Sequence, residues 1–166
     1  SLVKWVINGT QDILTATAAE GSRRKKGMDL TFGHRLCQLR VMPYATDAAA
    51  QTKWGNVTAI YIEKQPNACT FDLTADGQTG AVNAAGATSA TFTAANLSAA
   101  PLPLGSGAAR QMGDPVMIVP QPEGFVLRIS VATSKGGTMK TLALPRAYEE
   151  GTIIDLRLRF GDNTLT

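Results

Sequence analysis

Apolar and polar residues alternate with a period of two along much of this chain, the signature of strands that bury one face. The cleanest case is TIIDLRLRF at 152–160, where Ile154, Leu156, Leu158 and Phe160 share one face and Asp155, Arg157 and Arg159 the other. FVLRISVA at 125–132 sets Phe125, Leu127, Ile129 and Val131 together, and Ser134-Lys135-Gly136-Gly137 then turns the chain into TMKTLAL at 138–144. Further strands are expected at LVKWVI (2–7, closed by the turn pair Asn8-Gly9), DILTATA (12–18), NVTAIYIE (56–63), CTFDLT (69–74) and around Thr91-Phe92-Thr93. PVMIVPQP at 115–122 is an apolar run bracketed by prolines, which suits an edge strand because proline cannot donate to a ladder. One helical turn is expected in ATDAAAQTKW at 45–54, with Asp47 as its N-cap.

DLTFGHRLCQLRV at 29–41 departs from strict alternation. Leu30, Phe32, His34 and Leu36 share one face, after which the apolar phase moves to Leu39 and Val41. One extra residue near Cys37 would restore the register, as a β-bulge does. In that reading His34 points into a core with Phe32 and Leu36, and His34→Ala costs roughly 1–3 kcal/mol by leaving a buried partner unpaired.

Residues 75–113, rich in Ala, Gly, Thr and Ser and interrupted by Pro101 and Pro103, are expected as long loops or short edge strands. About eight or nine β segments with no long helix argue for an all-β sandwich with Greek-key connections. After Phe160 the chain reads GDNTLT, a turn with only the beginning of another strand. The 152–160 strand is therefore expected to leave an uncovered edge or to pair with another copy.

The chain's 166 residues suffice to bury a sizeable core. Charged residues make up only 17% of it, below the usual quarter or so, while small residues abound, a balance that leans towards a secreted or cell-surface β protein. The formal net charge is +3, with one basic run, Arg23-Arg24-Lys25-Lys26. Its glycine-flanked setting reads as a solvated loop, the alternative being an arm for nucleic acid or a membrane. No apolar run approaches the roughly 20 residues of a membrane span, and no signal peptide opens the chain. Because it starts in strand-like sequence, a mature product or a fragment is expected.

Little in the chain points to catalysis. There is no G-x-S-x-G to present a nucleophile to His34, no phosphate-binding glycine motif, and Asp76-Gly77-Gln78-Thr79 lacks the later carboxylates of a calcium loop. Cys37 and Cys69, without a C-x-x-C and with a single histidine, do not make a zinc site. They form one disulfide if their strands are neighbours or stay buried thiols; we favour buried thiols. Trp5, Trp54, Tyr44, Tyr61 and Tyr148 would make a sugar-stacking platform if exposed together, and core or rim positions otherwise. No catalytic, cofactor-binding or metal residues are assigned.

Four stretches in order, QDILTATA at 11–18, LTFGHRLCQLRV at 30–41, PVMIVPQP at 115–122 and EEGTIIDLRLRF at 149–160, resemble the fimbrillin-like family, subunits and accessory proteins of the surface fimbriae of anaerobic gut and oral bacteria. The resemblance implies a transthyretin-like or immunoglobulin-like sandwich without catalytic residues or cofactors. It implies that residues 1–166 form one domain, the later of two, with an amino-terminal domain and lipoprotein signal outside this chain. It implies a cell-surface place, on the fimbrium or outer membrane, and adhesion as the role. Partners would be other fimbrial subunits joined by strand exchange, opened by an arginine-specific protease, with membrane contact only through a lipid anchor that this chain lacks and no nucleic acid. The alternative is a carbohydrate-binding or adhesin module for surface glycans or proteins, with loops in 75–113 and aromatics such as Trp54 or Tyr148 forming the site.

Overall fold

The computed structural model describes residues 2–16, 24, 29–72, 84 and 87–161. Among these, thirteen strands and one helix occur in the order β1 (Leu2–Val6), β2 (Leu14–Ala16), β3 (Phe32–His34), β4 (Cys37–Ala45), α1 (Ala48–Trp54), β5 (Asn56–Pro66), β6 (Ala68–Asp72), β7 (Ser89–Asn96), β8 (Leu102–Pro103), β9 (Gly105–Ser106), β10 (Val116–Ile118), β11 (Val126–Thr133), β12 (Gly136–Ala143) and β13 (Ile153–Phe160). Eight of them have five residues or more, which is the population that alternation reveals; the rest are pieces of two or three residues.

Two sheets build an all-β sandwich. One runs β12-β11-β5-β7, with β8 also on β5; the other runs β10-β4-β13, with β9 also on β4. Leu127, Ile129 and Val131 of β11 and Val57, Ile60 and Ile62 of β5 share a single buried cluster with Leu39 and Val41 of β4 and Ile154, Leu158 and Phe160 of β13. This is the period-two pattern realised in β4, β11 and β13, whereas in β5 the buried phase shifts between Ala59 and Ile60, where its pairing with β7 and β11 is irregular. The chain changes between these two sheets from β4 to β5, from β8 to β9, from β10 to β11 and from β12 to β13.

Asp47 caps α1 as expected, its carboxylate accepting from Ala50 N at 2.8 Å. The helix carries the chain from β4 across to β5. Asn8 closes the Asn8-Gly9 turn by accepting from Thr10 N at 3.0 Å, yet the turn makes no hairpin. Strand β1 instead pairs antiparallel with β6, Trp5 lying opposite Cys69.

The 29–41 stretch corrects the sequence reading. No bulge forms near Cys37; the chain leaves β3 at His34 and starts β4 at Cys37, so the phase change falls at a break between two strands. Gly151 N donates to Leu36 O and Arg35 N to Ile13 O at that break. Among the described residues β3 pairs with β2 alone, outside both main sheets, and Phe32 and His34 are exposed. Periodicity correctly put Phe32 and His34 on one face, but among the described residues nothing covers that face of the two-stranded ribbon.

Several sequence expectations lie outside the described residues: the basic run apart from Arg24, which is exposed, Asp76-Gly77-Gln78-Thr79, and the chain beyond Gly161.

Candidate assembly edge

β13 lies at one margin of its sheet and pairs parallel with β4, from Ile153 opposite Gln38 to Phe160 opposite Ala45. Gln38 N donates to Thr152 O and Thr46 N to Phe160 O, both at 2.9 Å, at the two ends of this pairing. Main-chain groups along a strand point alternately to either side. Residues 154, 156, 158 and 160 therefore turn N–H and C=O towards β4, and 153, 155, 157 and 159 turn theirs outward. Among the described residues no strand adjoins this outer side. The sequence expectation of an uncovered edge at 152–160 thus holds for the described residues, and it has a defined ladder of donors and acceptors.

The inner face holds this edge in place. Ile154, Leu158 and Phe160 are buried, and Trp54 of α1 meets the Phe160 ring edge-on at 5.3 Å while its indole N–H donates to Gly161 O at 2.7 Å. On the outer face the Arg40 guanidinium reaches the Asp155 carboxylate at 2.6 Å, directly across the parallel register. Both side chains are about a third exposed, so the pair contributes at most about 1 kcal/mol. Sequence reading missed it because the partners lie 115 residues apart and parallel pairing leaves no local turn signal.

His34 sits at the rim of a cleft of about 430 Å³ with Asp12, Gln38, Met117 and Thr152. Its Nδ1 pairs with the Asp12 carboxylate, which also accepts from Ile13 N at 2.7 Å. The His34 side chain is 63% exposed, so His34→Ala is expected to cost less than about 1 kcal/mol in chemical denaturation, not the larger loss of a core histidine. A loss above 2 kcal/mol, on the order of a broken buried network, would show that this ribbon is covered in solution.

Two groups near the cleft that have nucleophilic atoms are engaged with the main chain. The Cys37 thiol and the Thr152 hydroxyl both donate to Glu149 O, at 2.9 and 2.6 Å. Cys37 and Cys69 are free and buried, in line with the favoured reading. Burial pushes the Cys37 thiol up to about 11, opposed by a hydrogen bond with Thr152; burial also raises Cys69 and Tyr148. For Cys37 the unfolded thiol ionises near 9.0 and the folded one near 11, so the stabilising contribution is complete below pH 9 and is lost as pH rises towards 11. Stability is expected to fall across that window, and Cys37→Ala to flatten the fall, as read by urea titrations at successive pH values. An unchanged profile in the variant would remove Cys37 as the cause.

The proposed sugar platform does not assemble. Tyr148 is buried beside Gln121, Trp54 packs on Phe160, Tyr44 and Tyr61 are half-buried, and only Trp5 is exposed, on β1. Among the described residues no three His, Cys, Asp or Glu side chains gather as a metal site, and no helix is long and apolar enough to cross a membrane.

A two-sheet sandwich whose described residues leave the outer side of β13 without a neighbouring strand defines an all-β scaffold with an exposed sheet edge. The chain belongs to the fimbrillin-like family, whose profile matches residues 8–166. A search of curated proteins gives no significant match. Among solved structures it is similar to candidate cell adhesion proteins of Bacteroides. That of Bacteroides uniformis aligns over 99% of this chain and 63% of its own, with TM-score 0.68 and 12% identity. That of Bacteroides ovatus aligns over 99% and 57%, with TM-score 0.57 and 15% identity. That of Bacteroides thetaiotaomicron aligns over 93% and 59%, with TM-score 0.51 and 16% identity. At these identities the likeness is one of fold. The chain spans roughly three-fifths of the length of each.

Proposed function

We propose that this chain is a structural or accessory subunit of bacterial surface fimbriae, acting in cell adhesion, and that it assembles with other subunits by strand addition. The observation that carries the reading is the outer edge of β13, where an eight-residue strand anchored from within turns the main-chain groups of 153, 155 and 157 outward and adjoins no other strand among the described residues. A partner strand laid there gains ladder hydrogen bonds for affinity and side-chain pairing for specificity. Family membership and the cell-adhesion neighbours support the setting, including a place on the cell surface. In this reading the 166 residues form the later of two domains.

Arg157→Pro tests it, because Arg157 N–H faces outward and proline there removes a donor to the edge and none to β4. Fimbriae sheared from producing cells should contain the wild-type chain and lack the variant, while both fold. Incorporation of the two at equal levels, or absence of the wild-type chain from surface fibres, would refute assembly through this edge.

A further inference from the structure

We propose that the β13 edge is self-complementary, and that two copies of this chain pair antiparallel through it in one register, with Leu156 facing Leu156 of the second copy. The inference rests on the reading of β13 as an assembly edge and names a partner for it.

Geometry limits the registers first. Only residues 153, 155, 157 and 159 present N–H and C=O outward, so an antiparallel ladder forms only when these face one another across the two-fold axis. Charge then selects among the central alignments. With Leu156 on the axis, each Asp155 lies opposite an Arg157, Ile153 opposite Arg159, and Ile154 opposite Leu158. Moving the axis to residue 155 sets Asp155 against Asp155; moving it to 157 sets each Asp155 against an Arg159 but brings Arg157 against Arg157 at the centre. Opposed like charges disfavour both shifts, whereas opposite charges across strands are stabilising.

The side chains suit this arrangement. Arg157 has no partner among the described residues, and Asp155 commits one carboxylate oxygen to Arg40 and keeps the other for a neighbour. Ile153 is 60% exposed, an unusual state for isoleucine on an edge, and lies against the aliphatic stem of Arg159 in the paired state. Leu156, half-buried in the single chain, is covered by its own counterpart. The strand has no proline and no bulge to discourage pairing. Such a contact is isologous and closes at two copies, so it joins two chains side by side and does not extend a fibre.

Sedimentation velocity over a concentration series should show a monomer–dimer equilibrium for the wild-type chain, weakened at least tenfold in Arg157→Glu and retained in Arg157→Lys. Cysteine substitution reads the register. Leu156→Cys should form an intermolecular disulfide on mild oxidation, because residues on the axis approach closely, and Arg157→Cys should not. A wild-type chain that stays monomeric, an Arg157→Glu variant that dimerises undiminished, or cross-linking through Arg157→Cys in place of Leu156→Cys would overturn the proposal. Wild-type chain found in sheared fimbriae yet monomeric in solution would sink self-pairing and leave assembly by other strands standing. A dimer absent from fibres would do the reverse.

Discussion

Phe160→Ala should destabilise the protein by about 3–5 kcal/mol in urea denaturation, the range for deleting a well-packed aromatic side chain. Phe160 is fully buried at the last position of β13, and the chain after β4 and helix α1 converge on it. Its carbonyl accepts from Thr46 N beyond the end of β4, its ring receives the edge contact from Trp54, and the next carbonyl, of Gly161, accepts the indole N–H. Removing the ring forfeits dispersion contacts and leaves a cavity that α1, held by its Asp47 cap, cannot fully close. Trp54 then loses its neighbour, so its emission should shift to the red in the folded variant. Phe160→Leu should recover most of the stability. A loss below about 1 kcal/mol, the range of a surface position, would mean that the ring is not part of the core.

That result matters for assembly because the outer edge of β13 is only as regular as its inner face. Alternation places the same residues in two roles: the side chains of 154, 158 and 160 bury while their main-chain groups bind β4, and the main chain of 153, 155 and 157 turns outward towards a partner. A strand loosened at Phe160 would present a frayed ladder, and strand addition depends on several bonds formed together. The core substitution is therefore expected to weaken edge pairing as well as folding.

Both faces of β11 and β13, and the cap of α1, are legible in the sequence because their causes are local. Ile129 and Leu158 declare themselves by spacing, and Asp47 by standing before an alanine-rich turn. Spacing does not encode which face a neighbour covers. Phe32 and His34 have the same alternation as core residues, yet among the described residues their strand pairs only with Leu14–Ala16 and stays outside the main sheets. Asp12 and His34 come together through that ribbon, a pairing invisible without its register. The parallel β4–β13 pair is likewise fixed by the whole topology, since no turn links the two strands; Arg40–Asp155 depends on it and has no signal of its own in the sequence. The charge pattern of the β13 edge becomes informative only when its outward main-chain groups are identified.

Gly113→Ala is expected to cost about 3 kcal/mol or more, combining backbone strain with loss of a buried hydrogen bond. Residues 112–114 stitch the two sheets together: Met112 N donates to Val41 O of β4, and Asp114 N to Ala94 O of β7. Between them Gly113 has φ +77°, and an added Cβ would fall 2.0 Å from Ala94 O and 2.6 Å from Ala95 Cβ. The left-handed backbone alone costs a non-glycine residue roughly 1–2 kcal/mol. The clash adds to this, because the group in the way is the very carbonyl that Asp114 N must reach, and moving it breaks the stitch. Gly124→Ala separates the two contributions: φ is +79° there too, but nothing lies within 4 Å of the new methyl, so only the backbone cost of about 1–2 kcal/mol should appear. Urea midpoints of the two variants compared at equal slope give the difference directly. Equal losses would mean that the close approach of Gly113 to β7 is not what joins the sheets; failure of Gly113→Ala to fold, beside a folded Gly124→Ala, would be the strongest form of the expected result.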